Sequence, residues 1–184
     1  MKLIALTIVL AGTSFFRQSQ IDGLSECCIY RHLVRSISQD NSDDKRFTIL
    51  STTEISGFNL LSAYSRLLEN EVDEELVRNF ILKNAIARKV QRLPNCIPGQ
   101  DHITATEIAA LFEGEDGWKE FYSARKKSAG IARFSAVGFN NARDLALVHV
   151  GLHSGWRHGI GFFYLFEKTK GSWVKTREIH TWDI

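Results

Sequence analysis

The architecture of this chain follows from two stretches near its C-terminus, Leu145-Ala146-Leu147-Val148-His149-Val150 and Ile160-Gly161-Phe162-Phe163-Tyr164-Leu165-Phe166. Side chains alternate between the two faces of a strand, so a strand with one face in water shows apolar and polar residues in turn. Both stretches are instead apolar on both faces. We therefore expect a sheet covered by helices on one face and, on the other, by the N-terminal half, a partner subunit or a ligand.

The C-terminal third is typical of an antiparallel meander. Alternating stretches predict four strands joined mostly by short turns, over residues 132–137, 145–150, 160–166 and 173–182. Apolar residues at helical spacing precede the meander, most clearly after Asp73, and Thr104 and Glu107 have the spacing of a helix cap. The sequence therefore predicts an α+β fold with N-terminal helices packed on a C-terminal four-stranded antiparallel meander. A further short strand is predicted at Arg46–Leu50.

Size and composition indicate one globular domain. The chain has 184 residues, of which 44% are apolar and 24% charged, and this balance excludes a disordered chain, a collagen and a coiled coil. The net charge of +2 gives no indication of a nucleic-acid partner. We expect residues 21–184 to form a single α+β domain.

The N-terminus has the pattern of a signal peptide. Lys2 precedes an apolar run over residues 3–12, which has the length of a signal-peptide core and is too short to cross a bilayer as a helix. We predict a signal peptide over residues 1–20, export to the periplasm or the medium, and no transmembrane segment after cleavage. The alternative is a buried N-terminal strand or helix.

The chain contains three cysteines, Cys27, Cys28 and Cys96. In an oxidising compartment Cys96 can pair with either of the two neighbours and leave one thiol. The alternative is three free cysteines, two of them buried as small apolar residues.

Four motifs occur together in the C-terminal half. Gly-Trp-x-x-Phe-Tyr begins at Gly117, Ser-x-Val-Gly-Phe-Asn at Ser135, Ala-Leu-Val-x-Val at Ala146 and Glu-Lys-x-x-Gly-x-Trp at Glu167. In this pattern, which ends with Trp182, the chain resembles a family of small exported bacterial proteins of unknown function over residues 27–184. The resemblance implies export and an α+β fold, and it implies no particular activity.

Similar proteins place two cysteines in the loop between the second and third of the four predicted strands. Ser154 and His158 stand at those positions here. The resemblance therefore implies that this chain lacks the disulfide that joins the loop in its relatives.

A candidate site lies in this same loop, which we predict over residues 152–159, and at the strand before it. Three imidazoles can bind zinc with a water in the fourth position, although the spacing here is looser than in zinc motifs. The alternative is a half-buried His149 beside two surface histidines. We assign no metal and no catalytic residue, and take as candidates His149, His153, Ser154, Trp156, Arg157 and His158.

Other chemistry finds little support in the sequence. Ser154, His180 and Asp183 supply the residue types of a hydrolase triad, but Ser154 is not in the Gly-x-Ser-x-Gly context of a nucleophile elbow. The sequence contains no phosphate-binding loop, dinucleotide fingerprint or EF-hand, so we expect no cofactor. An aromatic group can line a pocket or form the core, and packing favours the core: Trp156, Phe162, Phe163, Tyr164, Trp173 and Trp182.

These observations favour a non-catalytic exported module that binds a small ligand or a protein partner on the sheet face, or that associates with the cell envelope. Two alternatives remain open at this point. One is a hydrolase that uses a metal or a histidine in the segment 149–158. The other is a secreted inhibitor that acts by binding a partner protein.

Overall fold

The computed structural model describes residues 23–38, 45–53, 60–85, 88–89, 96–97 and 99–184. The predicted signal peptide at residues 1–20 lies outside these residues. Helices in the described part are α1 (23–38), α2 (Leu60–Glu69), α3 (Glu74–Asn84), α4 (Ala105–Leu111) and α5 (Gly117–Ala124). Strands are β1 (Arg46–Leu50), β2 (Thr52–Thr53), β3 (Arg88–Lys89), β4 (His102–Ile103), β5 (Ser128–Phe134), β6 (Gly138–Phe139), β7 (Leu145–Gly155), β8 (His158–Thr169) and β9 (Ser172–Asp183).

The α+β class is confirmed, but the sheet is larger than the predicted meander. It is a mixed sheet of seven strands in the order β4-β1-β5-β7-β8-β9, with β6 paired to β7. The four predicted strands correspond to β5, β7, β8 and β9, which are neighbours with antiparallel pairing. On the far side of β5, the strands β1 and β4 add two parallel pairings. The prediction of a four-stranded antiparallel sheet was therefore wrong in strand number and in direction at that edge.

Helices cover both faces of the sheet, which explains why the central strands are apolar on both sides. The even-numbered residues Ala146, Val148 and Val150 of β7 pack in one cluster with α1. Leu147 on the opposite face packs in a second cluster with apolar residues of α2 and α3. The sequence left three candidates for the cover of the second face: the N-terminal half, a partner subunit or a ligand. The structure shows helices of the N-terminal half on both faces.

Local chemistry sets the ends of two helices. The Asp73 side chain accepts a hydrogen bond of 2.8 Å from the backbone N–H of Leu76 and caps α3. Thr104 and Glu107 form the predicted capping box at α4, with the Glu107 N–H donating to Thr104 Oγ1 at 3.1 Å. The carboxylate of Glu107 accepts from Thr104, and these bonds lower its pKa.

Cys27 and Cys96 form a disulfide, and Cys28 is an exposed free thiol. The bond joins α1 to a segment 69 positions away. One of the pairings that the sequence allowed is therefore present.

Within the described residues, no helix has the length and apolar character needed to cross a membrane.

Candidate functional site

The segment predicted as a loop over residues 152–159 is the end of a β-hairpin. Strand β7 continues to Gly155 and β8 begins at His158, which leaves Trp156 and Arg157 as the turn. The strands extend this far because β9 pairs with β8 along the same stretch, with Ile160 opposite Asp183 and the Ile184 N–H donating to the Gly159 carbonyl. The prediction of a long loop was therefore wrong.

The hairpin separates the three histidines of the candidate site. His149 is fully buried, with its ring 5.0 Å from that of Phe163 and its Nε2 3.3 Å from Thr181 Oγ1. Burial lowers the pKa of His149 to about 3, with a smaller contribution from the nearby His153. At neutral pH this side chain is therefore a neutral part of the core.

His153 and His158 lie in different surroundings from His149. The ring of His153 packs at 5.0 Å from the indole of Trp182, whereas His158 is exposed at the start of β8. Among the residues that the structure describes, no three His, Cys, Asp or Glu side chains are placed to hold a metal ion. The structure therefore does not bring the three histidines together as a ligand set.

Ser154 and Arg157 are exposed near the tip of the hairpin. The backbone carbonyl of Ser154 accepts a hydrogen bond of 2.9 Å from the hydroxyl of Tyr122 on α5. His180 lies on β9 opposite Phe162 of β8, which in turn pairs with Val150 of β7. The backbones of Ser154 and His180 are therefore separated by two strand spacings and by four residues along the strand, or roughly 16 Å. That distance does not suit a direct hydrogen bond between a nucleophile and its base.

Two of the candidate residues, His153 and Trp156, do line a cavity. A cleft of about 300 Å³ lies between the α4–α5 pair and the β7–β8 hairpin, and we call it the aromatic cleft. Its apolar walls are Ile108, Phe112, Trp118, Ile131 and Trp156. Arg133 and His153 add polar atoms to the lining.

Rings from three separate elements meet in the aromatic cleft. Phe112 lies edge-on to Trp118 at 5.2 Å and to Trp156 at 5.4 Å between centroids. Trp118 stacks on Tyr122 at 5.8 Å. Trp156 is a large hydrophobic residue and yet remains 60% exposed. The cleft therefore presents open aromatic surface beside a cavity.

A close helix approach and one hydrogen bond position the walls of the cleft. At Gly117 a Cβ atom would lie 2.6 Å from Cδ1 of Phe112 and 2.8 Å from the Leu111 carbonyl oxygen, so only glycine allows α4 and α5 to approach this closely. The hydroxyl of Tyr122, held against the Ser154 carbonyl, fixes the hairpin to α5. Burial raises the pKa of Tyr122, so this hydroxyl keeps its proton at neutral pH.

Three of the six residues in the predicted aromatic group belong to the buried core. Phe163, Tyr164 and Trp173 are at least nine-tenths buried, whereas Trp156 is exposed. Sequence reasoning missed Phe112, Trp118 and Arg133 as neighbours of the hairpin. A usable signal was present for one of them: Arg133 stands among the apolar residues Ile131, Ala132 and Phe134.

Comparisons with known proteins give no relative for this chain. No model of a known protein family, no curated protein and no solved structure matches it.

Proposed function

We propose that this chain is a non-catalytic exported binding module, and that its aromatic cleft holds a small ligand with a flat apolar ring face. The observation that carries the proposal is the exposed indole of Trp156 at the hairpin tip, 5.4 Å from the ring of Phe112 and beside a cavity of about 300 Å³. A ring inserted there would contact the exposed face of Trp156 and the neighbouring ring of Phe112.

Aromatic walls favour a ring-bearing ligand for a physical reason. Aromatic pairs in offset or edge-to-face arrangements contribute roughly 0.5–1.5 kcal/mol beyond the area that they bury. Small-molecule sites have volumes of about 300–1,000 Å³. The cleft volume of about 300 Å³ is at the lower end of this range and suits a ligand of one or two rings. Arg133 and His153 at its wall supply the few polar groups that orient a ligand in such sites.

Export is supported by two independent features. The N-terminal residues 1–20 have the pattern of a signal peptide. The Cys27–Cys96 disulfide is compatible with an oxidising compartment, where such bonds persist.

Binding is favoured over hydrolysis because of where the histidines lie. A zinc mechanism in the segment 149–158 needs several of these side chains around one ion, and no such group occurs among the residues that the structure describes. His149 is buried against Phe163, whereas His158 is exposed at the start of β8. His153 alone lines the cleft, where it contacts the ring of Trp182.

A titration with indole tests the proposal. Indole is the simplest probe with a flat apolar ring face, and its binding can be followed by NMR through the side-chain N–H signals of Trp118 and Trp156. We expect saturable shifts of both signals in the wild-type protein. Trp156→Ala should weaken binding by about tenfold, since loss of one aromatic wall removes on the order of 1.4 kcal/mol.

Leu82→Ala is the matched control, because Leu82 is 72% exposed on α3 and does not line the cleft. It should bind indole as the wild type does. Absence of saturable binding, or equal weakening by both substitutions, would contradict the proposed site.

A further inference from the structure

A second cavity, of about 840 Å³, lies at the opposite end of α5 from the aromatic cleft. Its walls come from the start of β1, the residues before β4, the end of α5 and the turn into β5. The charged and hydroxyl side chains that line it include Arg46, Thr48, Asp101, Arg125, Lys126 and Lys127. We call it the basic cavity, and it shares no lining residue with the aromatic cleft.

Cations outnumber carboxylates in this lining. Arg46, Arg125, Lys126 and Lys127 face one carboxylate, that of Asp101. Its Oδ2 already accepts hydrogen bonds from Thr48 Oγ1 at 3.0 Å and from Arg125 Nε at 2.9 Å. Asp101 is therefore engaged in holding Arg125 and the floor of the cavity.

Arg125 is a fixed cation. Its guanidinium lies 5.6 Å from the centre of the Phe121 ring. It also forms an ion pair of 3.6 Å with Glu107, which does not line the cavity. Arg46, Lys126 and Lys127 differ from it, because no carboxylate of the described residues lies within ion-pair distance of them. Three cations thus remain to act on an incoming anion, and a concave surface concentrates their field.

The floor of the basic cavity is built from two parallel strands. Thr48 on β1 is fully buried and Ser128 on β5 nearly so, and their hydroxyl oxygens are 2.9 Å apart. The Arg46 N–H donates to the Lys127 carbonyl at 3.1 Å, which ties the start of β1 to the turn that carries both lysines. The backbone that bears the cations is therefore held by the sheet.

We infer that the basic cavity binds small anions that carry several phosphate or sulfate groups. One phosphate gains little at a partly exposed lysine, because water screens the pair. A polyanion can contact Arg46, Lys126 and Lys127 at once, and charge-assisted hydrogen bonds of this kind are the stronger ones. The cavity volume is within the range of small-molecule sites. This site is independent of the function proposed for the aromatic cleft.

Isothermal titration with inorganic tripolyphosphate tests the inference. We expect saturable binding to the full-length protein that weakens as salt is added. Lys126→Gln/Lys127→Gln should weaken binding by about tenfold or more, since one lost charge-assisted hydrogen bond already has roughly that effect. Both lysines are exposed, so the fold should survive, and a thermal melt checks this.

Lys119→Gln/Lys170→Gln is the control, because it removes the same two charges from exposed positions outside the cavity. This control changes the net charge by the same amount but leaves the cavity intact. It should therefore keep the tripolyphosphate affinity within about twofold of wild type. Equal weakening by both pairs would show attraction by net charge and overturn the inference. Absence of wild-type binding would overturn it as well.

A second arm distinguishes a free anion from a lipid headgroup as the source of the phosphate. Sedimentation with phosphatidylcholine vesicles, with and without phosphatidic acid, is compared between wild type and Lys126→Gln/Lys127→Gln. Lysine-dependent sedimentation only with phosphatidic acid assigns the headgroup. Tripolyphosphate binding without sedimentation assigns a free anion, and sedimentation without tripolyphosphate binding overturns the inference.

Discussion

The two ends of α5 carry opposite chemistry. At its beginning, Trp118 lies edge-on to Phe112 in the aromatic cleft. At its end, Ala124 and Arg125 belong to the basic cavity, where cations predominate. Strand β5 also lines both cavities, with Ile131 in the aromatic cleft and Ser128 in the basic cavity. One eight-residue helix and the strand β5 therefore contribute lining residues to both cavities.

The largest expected effect comes from the residue that docks this helix. Phe121 is fully buried between α5 and the sheet, in a cluster with Ile103 and Ile131. Phe121→Ala should lower the free energy of unfolding by roughly 3–5 kcal/mol, the range for such truncations. Urea denaturation measures the loss.

This variant also breaks the comparison if α5 supports both sites. Binding of indole and of tripolyphosphate should then fall together, whereas Ser123→Ala, at an exposed position of the same helix, should change neither stability nor indole binding. Loss of one ligand with full retention of the other would contradict a shared support.

Acid should lower the free energy of unfolding through the protonation of His149. The folded pKa of His149 is about 3, and an unfolded histidine has a pKa of about 6.5. Between these values the unfolded chain binds more protons, so stability is fully present above pH 6.5 and is lost as the pH falls towards 3. We expect a loss on the order of 2 kcal/mol between pH 7 and pH 5, measured by urea denaturation at each pH.

The substitution His149→Gln separates this effect from other titrations, because glutamine cannot take up the proton. The variant should lose much less stability than the wild type over the same pH interval. His158→Gln, at an exposed histidine, should keep the wild-type loss. A wild-type stability that does not change between pH 7 and pH 5 would contradict the neutral, buried state of His149.

A smaller effect sharpens the difference between the two ends. Thr104 caps α4, whose residues Ile108 and Leu111 pack in the cluster beneath the cleft. Thr104→Ala should cost about 1 kcal/mol of unfolding free energy, as is usual for a lost N-cap. Thr106→Ala, at an exposed position inside α4, should cost nothing. The same thermal or urea melts measure both, and equal losses would contradict the capping role.

The sheet shows which contacts a sequence can reveal. The hairpin between β8 and β9 was predictable because its turn is local: Lys170 and Gly171 both have positive φ, as a tight two-residue hairpin turn requires. Arg46–Leu50 was recognised as a strand and is β1. Its neighbour was not recognised, because Thr48 and Ser128 on the paired strands are 80 positions apart and no turn links them.

The candidate site divides in the same way. Trp156 and His153 were singled out because they lie close together in the sequence, beside other polar and aromatic residues. Phe112 and Trp118 pack against the cluster of Ile103, Phe121 and Ile131. Their contact with the hairpin depends on the packing of α4 and α5 at Gly117, and periodicity carries no information about that packing.

The most direct test of this account is one NMR experiment with two probes, in which labelled wild-type protein is titrated with indole and, separately, with tripolyphosphate. Indole should shift the side-chain N–H signals of Trp118 and Trp156 and leave the backbone amides of Lys126 and Lys127 unchanged. Tripolyphosphate should shift the amides of the two lysines and leave the two indole signals unchanged. Shifts of one common set of residues by both probes, or of neither set, would contradict two sites at the two ends of α5.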